Sequence, residues 1–229
     1  MSRGDRPAPG GAVLSRSFFE PVSTEVAPAL LGCVIEHETA DGLVAVRLTE
    51  VEAYRGELDP ASHAFRGRTP RNAVMYGDPG FVYVYFTYGM HFCMNLVCEG
   101  PGTASAVLLR AGEVIEGAGL ATDRRRGAPP RDLARGPARL TVALGLGRDD
   151  NGRDACDPLS PLRICARRFA DPVAVRSGPR VGVAAAADTS WRFWLDADPT
   201  VSAYRRHAPR RRPVNPPAAG QADTQGFRA

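Results

Sequence analysis

Glu50 and Glu52 are the first residues whose type and spacing could do chemistry. They lie in residues 43–54 (LVAVRLTEVEAY), where β-branched residues and a two-residue rhythm predict a strand. Strand alternation puts Glu50, Glu52 and Tyr54 on one face, the two carboxylates roughly 6.6 Å apart along the chain. A pair at that distance can activate water beside a glycosidic bond. Exposed glutamates are also common on strands, so the spacing alone fits a solvated face at least as well.

A dense aromatic run lies further on. Residues 81–92 (FVYVYFTYGMHF) hold six aromatic side chains in twelve positions. As a strand, this run places Tyr83 and Tyr85 on one face, with Tyr88 on the other near a turn at Gly89-Met90. Such a stripe packs well inside a sheet, which is its commonest use. Beside a carboxylate and an arginine-rich surface, it is also what a pocket for a planar base would need.

Charge narrows the chemistry. Every basic side chain among the 29 is an arginine, and the formal net charge is +4 with a pI near 9.0. A GC-rich coding sequence would give the same bias, but the consequence holds whatever its origin. With no lysine, no side-chain amine can form a Schiff base with an aldehyde. Basic stretches at 124–139 and 205–212 could neutralise phosphates, as could a solvated loop and tail of no function. The five cysteines (Cys33, Cys93, Cys98, Cys156, Cys165) form no CxxC pair and the four histidines are scattered, which argues against a metal site.

The elements that must position these residues follow from pattern. At 229 residues the chain suits one sizeable domain, and no apolar run approaches the roughly 20 residues of a membrane span. Nor does the N-terminal stretch resemble a secretory signal, so a cytoplasmic protein is expected. Residues 1–15 and 206–229 are expected to be disordered arms around a domain spanning 16–205. A helix is predicted at 23–31, tolerable only if Pro28 sits near its first turn. Thr69-Pro70 should cap a short helix through Met75, and Gly136-Pro137 should start one reaching Leu146. Residues 81–88 and 91–98 should form a hairpin with Tyr88 near its tip. Further strands are expected at 105–110, 162–166, 180–185 and 191–196, and a basic loop at 121–136. Together they predict an α+β fold around a largely antiparallel sheet.

The stretch TEVEAYRGELDPASHAFRGRTPRNAVMYGDPGFVYVYFTYGMHFCMNLV, followed by AVLLRAGEVIEG, resembles the alkyladenine (3-methyladenine) DNA glycosylases of the animal and bacterial type. LARGPARLTVALGL and GPRVGV continue the likeness, which covers roughly residues 16–200. It implies a single mixed domain with a curved antiparallel sheet, surrounding helices and a protruding hairpin that enters the DNA minor groove. The implied activity is base-excision repair of alkylated or deaminated purines (3-methyladenine, hypoxanthine, ethenoadenine), with no cofactor and no metal. The partner would be duplex DNA containing the lesion, bound by a monomer away from any membrane.

By the same resemblance, Glu52 in the E-A-Y triplet is the base that deprotonates water. Arg110, ending AVLLR, helps hold that water, with the backbone at Val181. Tyr54, His63 and Tyr85 stack on the flipped base, and Tyr88 is the wedge that replaces it in the duplex. Asn95 crowds a purine bearing a 2-amino group. Glu50 receives no chemistry by this route and is expected to support the site or to form a salt bridge. Two rivals remain open from the residues alone: a carbohydrate hydrolase using the Glu50/Glu52 pair, and a non-catalytic nucleic-acid-binding module.

Overall fold

The computed structural model describes residues 11–87, 89–167 and 174–208. Among these, one nine-stranded sheet carries helices α1 (Ser23–Leu30), α2 (Ala118–Arg124) and α3 (Pro137–Leu144). The strands are β1 (Val34–Thr39), β2 (Gly42–Tyr54), β3 (Val82–Thr87), β4 (His91–Val97), β5 (Ala106–Glu116), β6 (Ala134–Arg135), β7 (Leu162–Cys165), β8 (Val175–Gly178) and β9 (Arg192–Leu195). The main path runs β3-β4-β5-β2-β1-β7; β6 pairs with β5, and β9 joins β2 and β8. Every pairing is antiparallel, so the α+β expectation holds. No helix of the described residues is long and apolar enough to cross a membrane.

The central strand β2 decides where the site lies. Val44, Val46 and Leu48 enter the main core, and unbroken alternation would drive Glu50, Glu52 and Tyr54 in behind them. Instead the β2–β5 register slips on both sides of Glu50. This bulge moves the apolar phase to Val51 and Ala53, which continue the core, and turns the two carboxylates to the opposite face. On the core face, α1 contributes Val26, Ala27 and Leu30, and α3 contributes Leu140, Ala143 and Leu144. The Ser23 hydroxyl at the start of α1 donates to the Tyr54 carbonyl, tying the helix to the end of β2. Gly145 (φ +72°) closes α3, with Leu146 N–H reaching back to the Thr141 carbonyl at 2.8 Å.

Several expectations need correcting. Pro28 lies in the last turn of α1, not the first; a two-turn helix gives up one backbone bond there while Val26, Ala27 and Leu30 still bury its apolar face. The helix predicted from Thr69 is a four-residue 3-10 turn, Ala73–Tyr76. Asn72 displaces the α-helix: its side chain accepts from Thr69 N–H and donates to the carbonyls of His63 and Gly67. Residues 180–185 form no strand, because Val181 N–H goes to the Glu52 carboxylate and Gly182 N–H to the Arg205 carbonyl. The paired segment before β9 is β8 instead.

Other differences are of extent. The loop expected over 121–136 is partly α2 and β6, and β5 runs six residues past Arg110 to Glu116. Strand β1 had no signal assigned to it; Glu36 is ion-paired there with Arg163, and His37 bonds the Leu144 carbonyl. Of the N-terminal arm expected over 1–15, residues 11–14 run beside β7, with Gly11 N–H on Ala166 and Leu14 N–H on Ile164. Apolar Val13 and Leu14 pack against the cores, which ties that segment down. Residues 1–10 and 209–229 of the two arms lie outside the described residues. The β3–β4 hairpin is present, its pairing ending at Thr87 opposite His91.

Candidate active site

Cross-strand pairing puts the candidate residues in one row. Tyr83 pairs with Asn95, Asn95 with Leu108, Leu108 with Glu52, and Glu52 with Arg192. Partners directly opposite share a face, so β3, β4, β5, β2 and β9 each present one side chain on the side away from the helices. Two positions along lie Tyr85, Cys93, Arg110 and Glu50, on the same face by alternation. The sequence-predicted Tyr54, His63, Tyr85, Asn95 and Arg110 all line one cavity of about 330 Å³, within the range of small-ligand pockets. Tyr88, expected at the hairpin tip, lies outside the described residues.

Glu52 is fully buried and does not itself line this cavity; it is bonded to Tyr54, Val181 and Arg110, which do. Its Oε1 accepts the Val181 N–H at 2.7 Å and faces Arg110 Nη1 at 3.2 Å. Its Oε2 accepts the Tyr54 hydroxyl at 2.8 Å. All three partners line the cavity, so the carboxylate meets it through them. A carboxylate has about four lone-pair sites, and this arrangement leaves capacity on Oε2. Burial and then the Glu52 charge hold the Tyr54 phenol well above its ordinary pKa, which keeps it a donor. Burial would lower the Arg110 pKa, but Glu52 and Glu50 outweigh it and the guanidinium stays charged.

Glu50 is the hub of a separate set of contacts. Its Oε1 accepts from Arg110 Nε at 2.7 Å, Arg192 Nε at 2.8 Å and the Ser202 hydroxyl at 2.9 Å. Its Oε2 accepts the Ser202 N–H at 2.7 Å. Of these partners only Arg110 lines the cavity, whereas Arg192 and Ser202 do not, so Glu50 lies further from it than Glu52 does and the paired-carboxylate reading loses its geometric basis.

The aromatic wall is also formed. Tyr83 and Tyr85 stack at 5.5 Å with 29° between rings, and His63 meets Tyr85 edge-on at 4.4 Å. Burial, with the Arg71 charge, lowers the His63 pKa and favours a neutral imidazole. Asn95 donates from Nδ2 to the Tyr83 carbonyl at 3.2 Å, which sets the orientation of its amide. Inspection of motifs missed Asp59 and Arg180, a buried ion pair beside Tyr54. The only available signal was GPRVGV itself, whose arginine precedes the Val181 amide.

The profile of the methylpurine-DNA glycosylase family matches residues 17–199, which takes in every residue of the cavity. The chain belongs to that family. Membership places it among DNA-repair glycosylases that act on alkylated bases. A Streptomyces avermitilis protein named "Putative 3-methyladenine DNA glycosylase" is 56% identical over 208 residues, covering 90% of this chain and 98% of its own. Proteins of the same name from Leifsonia xyli subsp. xyli and Burkholderia lata are 55% and 47% identical, covering 84% and 88% of this chain and 92% and 97% of their own.

Proposed function

We propose that this glycosylase flips an alkylated or deaminated purine from duplex DNA and hydrolyses its N-glycosidic bond with a water activated by Glu52, leaving an abasic site. The observation that carries the reading is a buried carboxylate whose three donors all line an aromatic-walled cavity. Flipping costs a few kcal/mol, least for damaged pairs. Stacking on Tyr54, His63 and Tyr85, about 1–3 kcal/mol per base on aromatics, offsets much of that. Tyr88 fills the gap in the duplex, as wedge side chains do in minor-groove binders. Alkylation at N3 or N7 makes the base a cationic leaving group. The protein then supplies a base for water and negative charge near the oxocarbenium-like sugar, both from Glu52. Arg110 and the Val181 backbone hold the water. The partner is double-stranded DNA, bound by a cytoplasmic monomer. Incubation with duplexes containing hypoxanthine or ethenoadenine, then alkali, tests the reading: strand breaks at the lesion support it, and intact strands with tight binding would leave only a binding module.

Asn95 is the expected gatekeeper. Its amide is held by Tyr83, so it cannot turn aside for a purine with a 2-amino group. Asn95→Ser and Asn95→Ala should therefore raise guanine release relative to hypoxanthine by about tenfold, the scale of a modest pocket contact. An unchanged ratio removes Asn95 from specificity.

The product should be an unbroken strand. Lyase activity needs an amine to attack the sugar, and this chain has no lysine. Borohydride during turnover should trap no covalent protein–DNA adduct, and strands should break only after alkali. A stable adduct would point to the N-terminal amine and overturn a purely hydrolytic mechanism.

A further inference from the structure

Behind the cavity, Asp59 and Arg180 form an ion pair with no exposure on either side chain. The contact is a two-pronged fork: Arg180 Nη1 meets Asp59 Oδ2 at 2.5 Å, and Nη2 meets Oδ1 at 2.8 Å. Nη1 also donates to the Ala53 carbonyl at 3.0 Å. The guanidinium carbon lies 4.6 Å from the Tyr54 ring centre and 5.2 Å from that of Trp191. Asp59 in turn accepts the N–H groups of Arg55 and Ala61, so it also fixes the loop that leaves β2. A buried ion pair is a poor way to gain stability alone, since apolar residues of the same volume often serve as well. What this pair does that apolar residues could not is grip three neighbours of one carboxylate. Ala53 is next in sequence to Glu52, Val181 is next to Arg180, and Tyr54 stacks on the guanidinium.

We infer that Asp59 and Arg180 are positioning residues for base excision, holding the Val181 N–H on Glu52 Oε1 and the Tyr54 hydroxyl on Oε2. With both donors held, the carboxylate cannot rotate, and its free lone pair keeps one direction. That direction is where the attacking water must give up its proton. The inference rests on Glu52 being the base, as proposed above.

The test uses the full chain with Asp59→Asn, which keeps shape and removes charge, and Arg180→Lys, which keeps charge and removes the fork. Single-turnover release of hypoxanthine is read beside duplex affinity and Tm, at a temperature where each variant is folded. Both variants should lose about 10²-fold in rate, the scale of a slight misplacement of reacting groups, with affinity unchanged. Tyr54→Phe combined with Asp59→Asn should lose less than the product of the single effects, because both act on one carboxylate. A lower Tm with the wild-type rate, or a double variant showing the full product, overturns the inference and leaves the pair purely structural. Should Asp59→Asn not fold, Arg180→Lys with Tyr54→Phe gives the same reading. Glu52→Gln run alongside separates the two failures: an active Glu52→Gln removes the base assignment, whereas an inactive one beside a fully active Asp59→Asn removes only the positioning role.

Discussion

Glu52→Gln should abolish base release while damaged duplex is still bound. The substitution keeps the side-chain volume and removes both the proton acceptor and the negative charge. General-base catalysis by a positioned side chain contributes about 10²–10⁴-fold, so the single-turnover rate should fall by at least that much. Loss of the anion facing an oxocarbenium-like sugar adds to the defect. Binding should hold or tighten, for two reasons. The hydrogen bonds of the altered group go to Tyr54 and Val181, so the His63–Tyr85 wall of the cavity keeps its ring contact, and one buried negative charge is taken away from the path of a polyanion. Arg110 would still be paired through Glu50, so the fold should survive. Base release measured under enzyme excess, together with a binding curve on the same duplex, decides it. A fully active Glu52→Gln beside an inactive Glu50→Gln would transfer the catalytic role to Glu50.

Glu50→Gln should produce the largest loss of stability. Glu50 is the shared acceptor for Arg110, Arg192 and Ser202, and its contacts with the two arginines are shielded from water. Removing the charge strands Arg192, whose ion partner it is, and leaves Arg110 with Glu52 alone. Breaking a buried pair costs about 3–5 kcal/mol. For a domain of this size that corresponds to a fall in Tm of roughly 6–20 °C. The pH dependence has a definite sign. Burial would raise the Glu50 pKa, but Arg110 and Arg192 outweigh it and hold it below its ordinary value of 4.5. A carboxylate lowered on folding stabilises fully above that ordinary value and loses its contribution as pH falls through the folded one. The Tm gap between wild type and Glu50→Gln should thus be constant near neutrality and close in acid below pH 4.5. Melting curves across that range test it; equal Tm values at neutral pH would show that the neutral amide serves this network as well as the charge does.

By itself, the sequence determined the fold class, the hairpin, and the face shared by Glu50, Glu52 and Tyr54. Those features rest on short-range rules: two-residue alternation, a turn between apolar runs, and a cap at Gly136-Pro137. The long specific stretch from Thr49 to Val97 carried the family likeness, and with it the candidate residues that the structure brings to one cavity. The absence of lysine limited the nucleophile before any geometry was known. Where local rules met long-range bonds, they failed. The strand expected at 180–185 gave up its ladder because the Val181 amide finds a carboxylate 129 positions away in sequence. The helix expected at 70–75 shrank for a nearer reason: the Asn72 amide ties back to the carbonyls of His63 and Gly67 in the loop just before it. Which glutamate meets the cavity was also undecidable from spacing, since both lie on the same face. Only the folded chain brings Arg110, Arg192 and Ser202 onto Glu50 and leaves Glu52 facing the pocket through Tyr54, Val181 and Arg110. The bulge at Glu50 decided the rest. Alternation alone would have sent both carboxylates into the core behind Leu48, and a register slip against β5, set by pairing between distant segments, turned them outward.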